Sequence, residues 1–413
     1  MRILIINHFP LSGSGSGAYT ANLANALHRQ GHEVAVVFPE NRAEYERFDG
    51  IVLYPVFFRD RDEIEGQLDF NFPCFTTHPR SVHAFSAMTE AERAEYEEAF
   101  EQKIRQAIEE FNPDVIHAQH IWVLAGIGAK LAKEKGLPLV LTCHGTDLLG
   151  IREEMKNGGG WGFRYAKEAS DYAGAIIAIS DQNKALTEEI FPQDRGKVIL
   201  MKNGVDTTVF YREPGLRRAD VLAKYDIPDF GKVVCFAGKC TYIKGIDLLL
   251  KAAKIYEDSD TLTVLAGDGE LRQELQAFAR DEGLRNIHFI GNRTHRELRE
   301  IYNVSDVSTV PSRSEAFGLV AAEAMVCGAP VVAARVGGLP EIVTEETGFL
   351  IESEDWETLA ADILKVLNGE KVFSREEIAR IAENRYSQDA LIGDVVRLYE
   401  RVAGGERPAG LGE

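Results

Sequence analysis

Apolar and polar positions alternate along the chain in a pattern that predicts short strands separated by amphipathic helices. An apolar run at 3–6 comes first, a stretch with helical spacing follows at about 18–29, and a second apolar run occupies 34–38. Four more strand-length apolar runs in the first half lie at 114–118, 139–142, 175–179 and 198–201. Because strands that alternate with helices form parallel sheets covered on both faces, the first half is predicted to be an α/β domain.

The same alternation begins again in the second half of the chain. Helical stretches separate five apolar runs at 233–237, 262–266, 287–290, 307–310 and 331–334. Open parallel sheets bind ligands beyond the carboxyl ends of their strands, so two such domains that face each other are expected to form one deep cleft. The pattern therefore predicts two doubly wound, Rossmann-like domains.

Turn signals predict where the two domains meet. Asn203 and Gly204 favour a turn, and the polar segment that follows them contains Pro214 and Pro228. The predicted organisation is an acceptor-side domain at 1–204, a nucleotide-sugar-binding domain at 205–385, a last amphipathic helix at 386–403 that packs back on the first domain, and a frayed tail at 404–413.

Length and charge limit the classes of function. A chain of 413 residues suggests two or three domains, on a prior of roughly 150 residues per domain. The net charge of −19 argues against a nucleic-acid partner held by its phosphates. The five cysteines are scattered, which suits buried thiols in a reducing compartment. No apolar stretch approaches the length of a membrane span and the first residues do not read as a signal peptide, so a cytoplasmic protein is expected.

The most informative segment carries two carboxylates eight positions apart, Glu315 and Glu323. The apolar spacing from Phe317 onward predicts a helix that begins near Gly318, with Glu315 in the loop before it and Glu323 two turns into it. The free N–H groups of a helix start attract phosphate or a developing anion. The segment therefore predicts a ligand that has both phosphate and hydroxyl groups.

Two lysines lie in another strand-to-helix loop. Lys239 follows the apolar run at 233–237, and Lys244 precedes the next helix. Two ammonium groups beside a helix start can clamp a pyrophosphate without a metal ion, although either lysine alone could be an ordinary surface residue. Gly269 repeats the strand-turn-helix arrangement one unit later, where by itself it would be only a turn.

The loop after the first strand is rich in glycine and includes Gly15 and Gly17. Glycines before a helix let the backbone approach a phosphate. The spacing also matches a dinucleotide-binding fingerprint, with Glu40 as a possible ribose partner. That interpretation is disfavoured because residues 8–12 separate the strand from the glycines and because a nicotinamide enzyme would leave the motifs of the second half unexplained.

Further polar residues follow strands of the first domain. His144 and Asp147 come after the apolar run at 139–142, where cleft residues are expected, whereas His117 and His120 are interpreted as packing or supporting groups. The aromatic and histidine-rich segment at 60–106 is either a loop packed on the first sheet or part of an acceptor pocket. Two Asp-x-Asp triplets, at 60–62 and 258–260, lie in charged, turn-like surroundings and are interpreted as solvated surface, so no essential metal is expected.

In this order, the motifs resemble glycosyltransferase family 4, whose members are retaining transferases with the two-domain GT-B fold. Glu315 and Glu323 match the E-x7-E signature of the family. The other matches run almost from end to end and comprise the glycine-rich loop, 31–34, 142–147, 203–206, 238–245, 328–330 and 337–341. Each short motif is weak alone, but together they are specific.

The resemblance implies a role for each matched position. Lys239 and Lys244 would bind the donor diphosphate, Glu315 the hydroxyls of the donor sugar and Glu323 those of the ribose, while His144 would lie beside the transferred sugar. Lys239 departs from the family, where arginine is common and can make a two-pronged contact. The other implied donor contacts are Gly15, Gly17, Gly269, Asn292, Arg293, His295, Phe317, Gly318 and Leu319, with the nucleobase against 292–295. The implied acceptor contacts are His78, Arg80, Asp147 and Arg164.

The predicted function is transfer of a hexosyl group, with retention, from a nucleotide diphosphate sugar to a hydroxyl of a small, soluble, polar or anionic acceptor. UDP-glucose is the commonest donor that the resemblance suggests. One alternative is a disaccharide synthase or phosphorylase on the same fold, and another is a non-catalytic nucleotide-sugar-binding protein. No cofactor, membrane span or nucleic-acid partner is expected, and the oligomeric state is left open.

Overall fold

The computed structural model describes residues 1–75, 78–258 and 260–405 and divides them into two units. The first unit comprises Met1–Lys202 and the described residues from Leu391 onward, and the second comprises Asn203–Ala390. The predicted domain boundary at 204 and the predicted last helix at 386–403 are close to these divisions. Most of the predicted frayed tail lies outside the described residues.

The first unit is built on a parallel sheet in the order β3-β2-β1-β4-β5-β6-β7. The strands are β1 (Arg2–Ile6), β2 (Glu33–Glu40), β3 (Ile51–Phe57), β4 (Val115–Gln119), β5 (Leu139–Cys143), β6 (Ala175–Ala178) and β7 (Val198–Leu200). The helices are α1 (Gly15–Arg29), α2 (Glu90–Phe111), α3 (Val123–Lys135), α4 (Thr146–Lys156), α5 (Trp161–Tyr172) and α6 (Asp181–Ile190). Because the strand order reverses between β1 and β4, the loops that follow these two strands diverge and leave a crevice.

The second unit repeats this design with the strand order β10-β9-β8-β11-β12-β13, again all parallel. Its strands are β8 (Lys232–Ala237), β9 (Thr261–Ala266), β10 (Ile287–Gly291), β11 (Val307–Val310), β12 (Val331–Ala334) and β13 (Gly348–Ile351). The helices are α7 (Arg218–Ala223), α8 (Ile246–Tyr256), α9 (Arg272–Asp281), α10 (His295–Val304), α11 (Leu319–Val326), α12 (Leu339–Ile342), α13 (Trp356–Leu367) and α14 (Arg375–Tyr386). The last helix, α15 (Gln388–Ala403), begins in the second unit and belongs to the first unit from Leu391 onward. The reversal of strand order lies between β8 and β11.

Apolar side chains cover both faces of the first sheet. On one face, Tyr96 and Phe100 of α2 join a core with residues of α3 and α5. On the other face, Leu27 of α1 and Leu398 of α15 pack with Ile5 of β1. Strands buried on both faces read as continuous apolar runs, which is why the central strands are visible in the sequence.

Helix α15 is joined to the first sheet by a buried polar contact. The Tyr399 hydroxyl lies 2.7 Å from His117 Nδ1, and His117 Nε2 lies 2.7 Å from the Thr142 hydroxyl. All three residues are fully buried. His117 is therefore a packing group, as its pattern suggested, and it connects α15 to β4 and β5.

Replacing Tyr399 by phenylalanine should destabilise the first unit. The change removes the 2.7 Å hydrogen bond at His117 Nδ1 and leaves that atom only the longer contact with the Gln119 amide at 3.4 Å, which should lower the free energy of unfolding by about 1 kcal/mol in urea titrations. Tyr96→Phe is a matched control, because the Tyr96 hydroxyl is buried and has no hydrogen-bond partner among the described residues. Equal stability of the two variants would contradict the assignment.

Candidate functional site

The donor residues predicted from separate motifs meet at the carboxyl ends of β8 and β11. Lys239 and Lys244 lie in the loop after β8, and Glu315 lies in the loop after β11. The Lys244 ammonium is 2.6 Å from Glu315 Oε2, and these side chains are only 28% and 13% exposed. The structure therefore places a half-buried ion pair at the point where the strand order of the second sheet reverses.

Glycines without side chains let the surrounding loops approach this ion pair. Gly245 has a φ of +66°, and a Cβ atom there would lie 2.1 Å from the carbonyl oxygen of Pro311. Gly337 has a φ of +58°, and a Cβ atom there would lie 1.5 Å from the carbonyl oxygen of Glu315. Gly269, after β9, lies against the backbone of Cys240 in the same way. Larger residues at these positions would separate the loops.

Helix α11 begins beside the ion pair, close to its predicted start. Gly318 occupies the N-cap position with a φ of +108°, and no side chain caps the helix, whose first residue is Leu319. Phe317 is 2% exposed and packs its ring against Tyr386. An uncapped helix start has N–H groups available for an anion.

Glu323 lies in the second turn of α11, so it is nearer the helix start than the two turns expected from the sequence. Its carboxylate accepts no hydrogen bond from the part of the chain that the structure describes, and the residue is partly exposed. Burial of the carboxylate raises the pKa of Glu323 to about 7. A carboxylate with little solvation and no protein donor is suited to accept hydrogen bonds from ligand hydroxyls.

The predicted nucleobase loop lies at the carboxyl end of the edge strand β10. Asn292 and His295 are exposed, and the His295 ring lies 5.5 Å from the ring of Phe210. Arg293 is held by an ion pair with Glu297 at 3.2 Å. These residues are two strands from β8, and their predicted contact with a base stays a prediction.

In the first unit, His144 is buried in the loop after β5, and Asp147 is buried in the first turn of α4, which follows that loop. His144 Nε2 lies 2.8 Å from Gln119 Oε1, while the Asp147 carboxylate accepts hydrogen bonds from the backbone N–H groups of His144, Ile121 and Leu148 at 2.9–3.2 Å. Asp147 has no exposed surface, so in this structure it supports the loop. No atom of Asp147 is accessible for the predicted contact with an acceptor.

The imidazole of His144 is held neutral. Burial, followed by the neighbouring His120, lowers the pKa of His144 well below its ordinary value. A neutral ring can exchange hydrogen bonds with a hydroxyl but carries no charge at neutral pH.

His120 is a residue that the sequence analysis undervalued. Its ring centre lies 4.5 Å from that of His144, it is 1% exposed, and its backbone has an uncommon φ of +68°. Its Nδ1 atom has no hydrogen-bond partner among the described residues. Strain and an unpaired buried atom are features of functional sites, but neither is visible in a sequence; the available signal was its place directly after β4, at the strand-order reversal.

The two predicted glycines of the first loop have different surroundings. Gly15 is the first residue of α1 and has open space where a Cβ atom would lie. At Gly17 a Cβ atom would lie 2.1 Å from the Pro10 carbonyl oxygen, and its N–H donates to Ser14 Oγ. Gly17 is therefore required for the fold of the loop, while Gly15 leaves room for a ligand.

Arg80, a predicted acceptor residue, is instead committed to an internal ion pair. Its Nη1 atom lies 2.5 Å from Glu40 Oε1, with side chains 9% and 3% exposed. Because Glu40 is paired with Arg80, it is not available to bind a ribose, as the dinucleotide-binding interpretation required. His78 is buried with its ring stacked on that of Phe9, whereas Arg164, on α5, is exposed beside the Tyr165 ring. Of the four predicted acceptor residues, Arg164 is the one that the structure leaves exposed.

Comparison with known proteins identifies the family. The family model for Glycosyltransferase Family 4 matches residues 13–209, and the family model for Glycosyl transferases group 1 matches residues 218–388. The chain is 30% identical to an uncharacterized glycosyltransferase of Methanocaldococcus jannaschii over 298 residues, which cover 72% of this chain and 78% of that protein. The chain belongs to glycosyltransferase family 4.

Other known proteins are also similar in sequence or in structure. The D-inositol 3-phosphate glycosyltransferase of Mycobacteroides abscessus is 32% identical over 72% of this chain and 68% of its own length. Among solved structures, a sucrose-phosphate synthase from Thermosynechococcus elongatus has a TM-score of 0.76 at 20% identity, covering 98% of this chain and all of the other. The Anabaena protein HepE in complex with UDP-glucose has a TM-score of 0.69 at 20% identity, covering 98% and 99% of the two chains. These structures confirm the predicted GT-B fold.

Two further findings concern metal ions and membrane-spanning helices. Within the described residues, no group of three or more His, Cys, Asp or Glu side chains could hold a metal ion, and Asp60 and Asp62 are exposed. That the reaction needs no metal stays a prediction. No helix in the described ranges is long and apolar enough to cross a membrane.

Glu323→Gln should stabilise the protein at high pH. The pKa of Glu323 is raised from its ordinary value of 4.5 to about 7 in the folded protein. The free energy of unfolding therefore falls as the pH rises from the unfolded-state pKa through the folded-state pKa. The variant should therefore unfold with a free energy higher by at most about 3 kcal/mol at pH 8, with a difference that shrinks at pH 5. Urea titrations at both pH values measure this, with Glu370→Gln on the surface as the control. A pH-independent difference would contradict the assignment.

Proposed function

We propose that this family 4 glycosyltransferase moves a hexosyl group from a nucleotide diphosphate sugar to an acceptor hydroxyl, with retention of the anomeric configuration. The observation that carries the proposal is the half-buried ion pair of Lys244 and Glu315, which lies beside the uncapped start of α11. Cations and a helix start suit a diphosphate, and carboxylates suit sugar hydroxyls. A nucleotide sugar combines these groups in one molecule.

The donor is oriented by the order of these groups along the second unit. Glu315 accepts hydrogen bonds from the transferred sugar, Lys239 and Lys244 neutralise the diphosphate, and Glu323 accepts from the ribose. Glu323 has no protein donor among the described residues, so a ribose can satisfy a carboxylate that is otherwise poorly solvated. We favour UDP-glucose as the donor, which is supported by the chemistry of the site and by the complex that HepE forms with UDP-glucose.

The acceptor is proposed to be small and polar, with an anionic group. Exposed Arg164 offers a guanidinium that a phosphate can contact in two places. The name of the related D-inositol 3-phosphate glycosyltransferase is consistent with such an acceptor. Because His144 is neutral, it contacts a sugar hydroxyl rather than an anion.

In the proposed reaction, the bond between the anomeric carbon and the diphosphate oxygen breaks while the acceptor oxygen bonds to the same face of that carbon. The acceptor proton passes to an oxygen of the departing diphosphate. Charge grows on the diphosphate in an oxocarbenium-like transition state, and Lys239, Lys244 and the start of α11 stabilise it. Glu315 positions the sugar rather than attacking it, because its carboxylate is paired with the Lys244 ammonium at 2.6 Å.

Lys244→Ala and Glu315→Gln should each lower turnover by about 100-fold or more, since each removes a charged contact to the transition state. Release of UDP from UDP-glucose, measured first without an acceptor and then with sugars and phosphosugars, gives the rate. Lys254→Ala is the control, because Lys254 lies in the last turn of α8 and forms an exposed ion pair with Glu282. Rates within a few fold of wild type for the two site variants would exclude this site.

Nucleoside diphosphates should protect the protein against unfolding. UDP at about 100 times its Kd should add about 2.7 kcal/mol of stability by mass action. Thermal unfolding with UDP, ADP, GDP or phosphate alone measures the effect, and Glu323→Gln should reduce the protection by the nucleotide. Equal protection by phosphate alone would instead favour a phosphorylase. Protection by UDP without any turnover of UDP-glucose would favour a binding protein.

A further inference from the structure

Arg313, two residues before Glu315, forms hydrogen bonds with all three nitrogen atoms of its guanidinium. Its Nη1 and Nη2 atoms each lie 2.7 Å from an oxygen of Asp247, and its Nε atom lies 2.5 Å from Glu354 Oε1. Nη1 also donates to the carbonyl oxygen of Tyr242 at 2.7 Å. The guanidinium is thus bound on several sides by residues from three different segments, and its side chain is only 11% exposed.

These contacts fasten the loop after β11 to the loop after β8. The backbone N–H of Arg313 donates to the carbonyl oxygen of Ile243 at 2.7 Å, and its guanidinium lies 3.9 Å from the centre of the Tyr242 ring. Tyr242 and Ile243 directly precede Lys244. The close approach of Gly245 to Pro311 holds the same two loops together on the other side of Lys244.

The contact between Arg313 and Asp247 depends on the shape of arginine. A guanidinium presents two parallel N–H groups to one carboxylate, whereas a lysine ammonium makes a single point contact. Partial burial by itself raises the pKa of Asp247, but hydrogen bonds and charge from Arg313 outweigh it and lower the pKa. Both partners are therefore charged at neutral pH.

We propose that Arg313 is a positioning residue for the donor diphosphate. It holds the loop that carries Lys244 against the loop that carries Glu315, so that the ammonium and the carboxylate are in place before the donor binds. Arg313 acts through Lys244 and does not itself contact the donor. This inference rests on the proposed function, because it assumes that Lys244 binds the diphosphate.

The test is a double-mutant cycle read by nucleotide affinity. Calorimetric Kd values for UDP, ADP and GDP identify the diphosphate that binds most tightly, and that nucleotide is then titrated into wild type, Arg313→Lys, Lys244→Ala and the double variant. Displacement of Lys244 should raise the Kd about 10-fold or more in Arg313→Lys. In the Lys244→Ala background the same change should alter the Kd by less than about twofold, because the residue through which it acts is gone.

Arg218→Lys is the matched control. Arg218 bonds Asp306 and the carbonyl oxygens of Val304 and Phe230 at the opposite end of the same sheet, so its loss should affect stability without changing nucleotide affinity. If Arg313→Lys does not fold, Asp247→Asn removes the charge of the partner carboxylate and enters the same cycle.

The outcomes separate the two proposals. If no nucleoside diphosphate binds, or if Lys244→Ala leaves the Kd unchanged, the proposed donor site is overturned and the role of Arg313 falls with it. If Lys244→Ala weakens binding but Arg313→Lys does not, or if the two effects add in full, only the positioning role is overturned. Full additivity would mean that Arg313 supports the fold and not Lys244.

Discussion

The ion pair between Lys244 and Glu315 is the interaction on which the proposed donor site depends. Two partly buried charges lose solvation, and this loss is offset only when they stay close and are well placed. They come from loops that follow different strands, so the sheet, the glycines and Arg313 must bring those loops together. The reversal of strand order at β8 and β11 supplies the space, and the absence of side chains at Gly245 and Gly337 lets the backbones approach.

In the first unit, the loops that follow β4 and β5 hold a neutral imidazole instead of an ion pair. His144 is buried beside His120 and contacts Gln119, while Asp147 is surrounded by backbone N–H donors. Burial disfavours the charged imidazole, so the His144 ring carries hydrogen-bonding capacity without charge. The two units therefore differ in chemistry as well as in sequence: one brings a charged pair together where its strand order reverses, and the other has a neutral ring and an exposed arginine.

The features that the sequence analysis missed have two physical causes. Strand β3 is an apolar run interrupted by Pro55, a residue that sheets tolerate at their edges, and β13 has only four residues. The support role of Asp147 and the pairing of Arg80 with Glu40 were missed because a charged residue has the same letter whether it faces solvent or a buried partner. Arg313 was missed because its partner Asp247 is distant in sequence.

By itself, the sequence determined the alternation of strands and helices, the two-domain architecture, the start of α11 and the family. These follow from local periodicity, from turn residues and from motifs whose spacing is preserved along the chain. Only the tertiary structure decided that Lys244 and Glu315 form an ion pair, that Glu323 is poorly solvated, and that His144 is neutral. Those properties depend on distance and on burial, and both are set by how remote segments pack together rather than by the order of residues within any one of them.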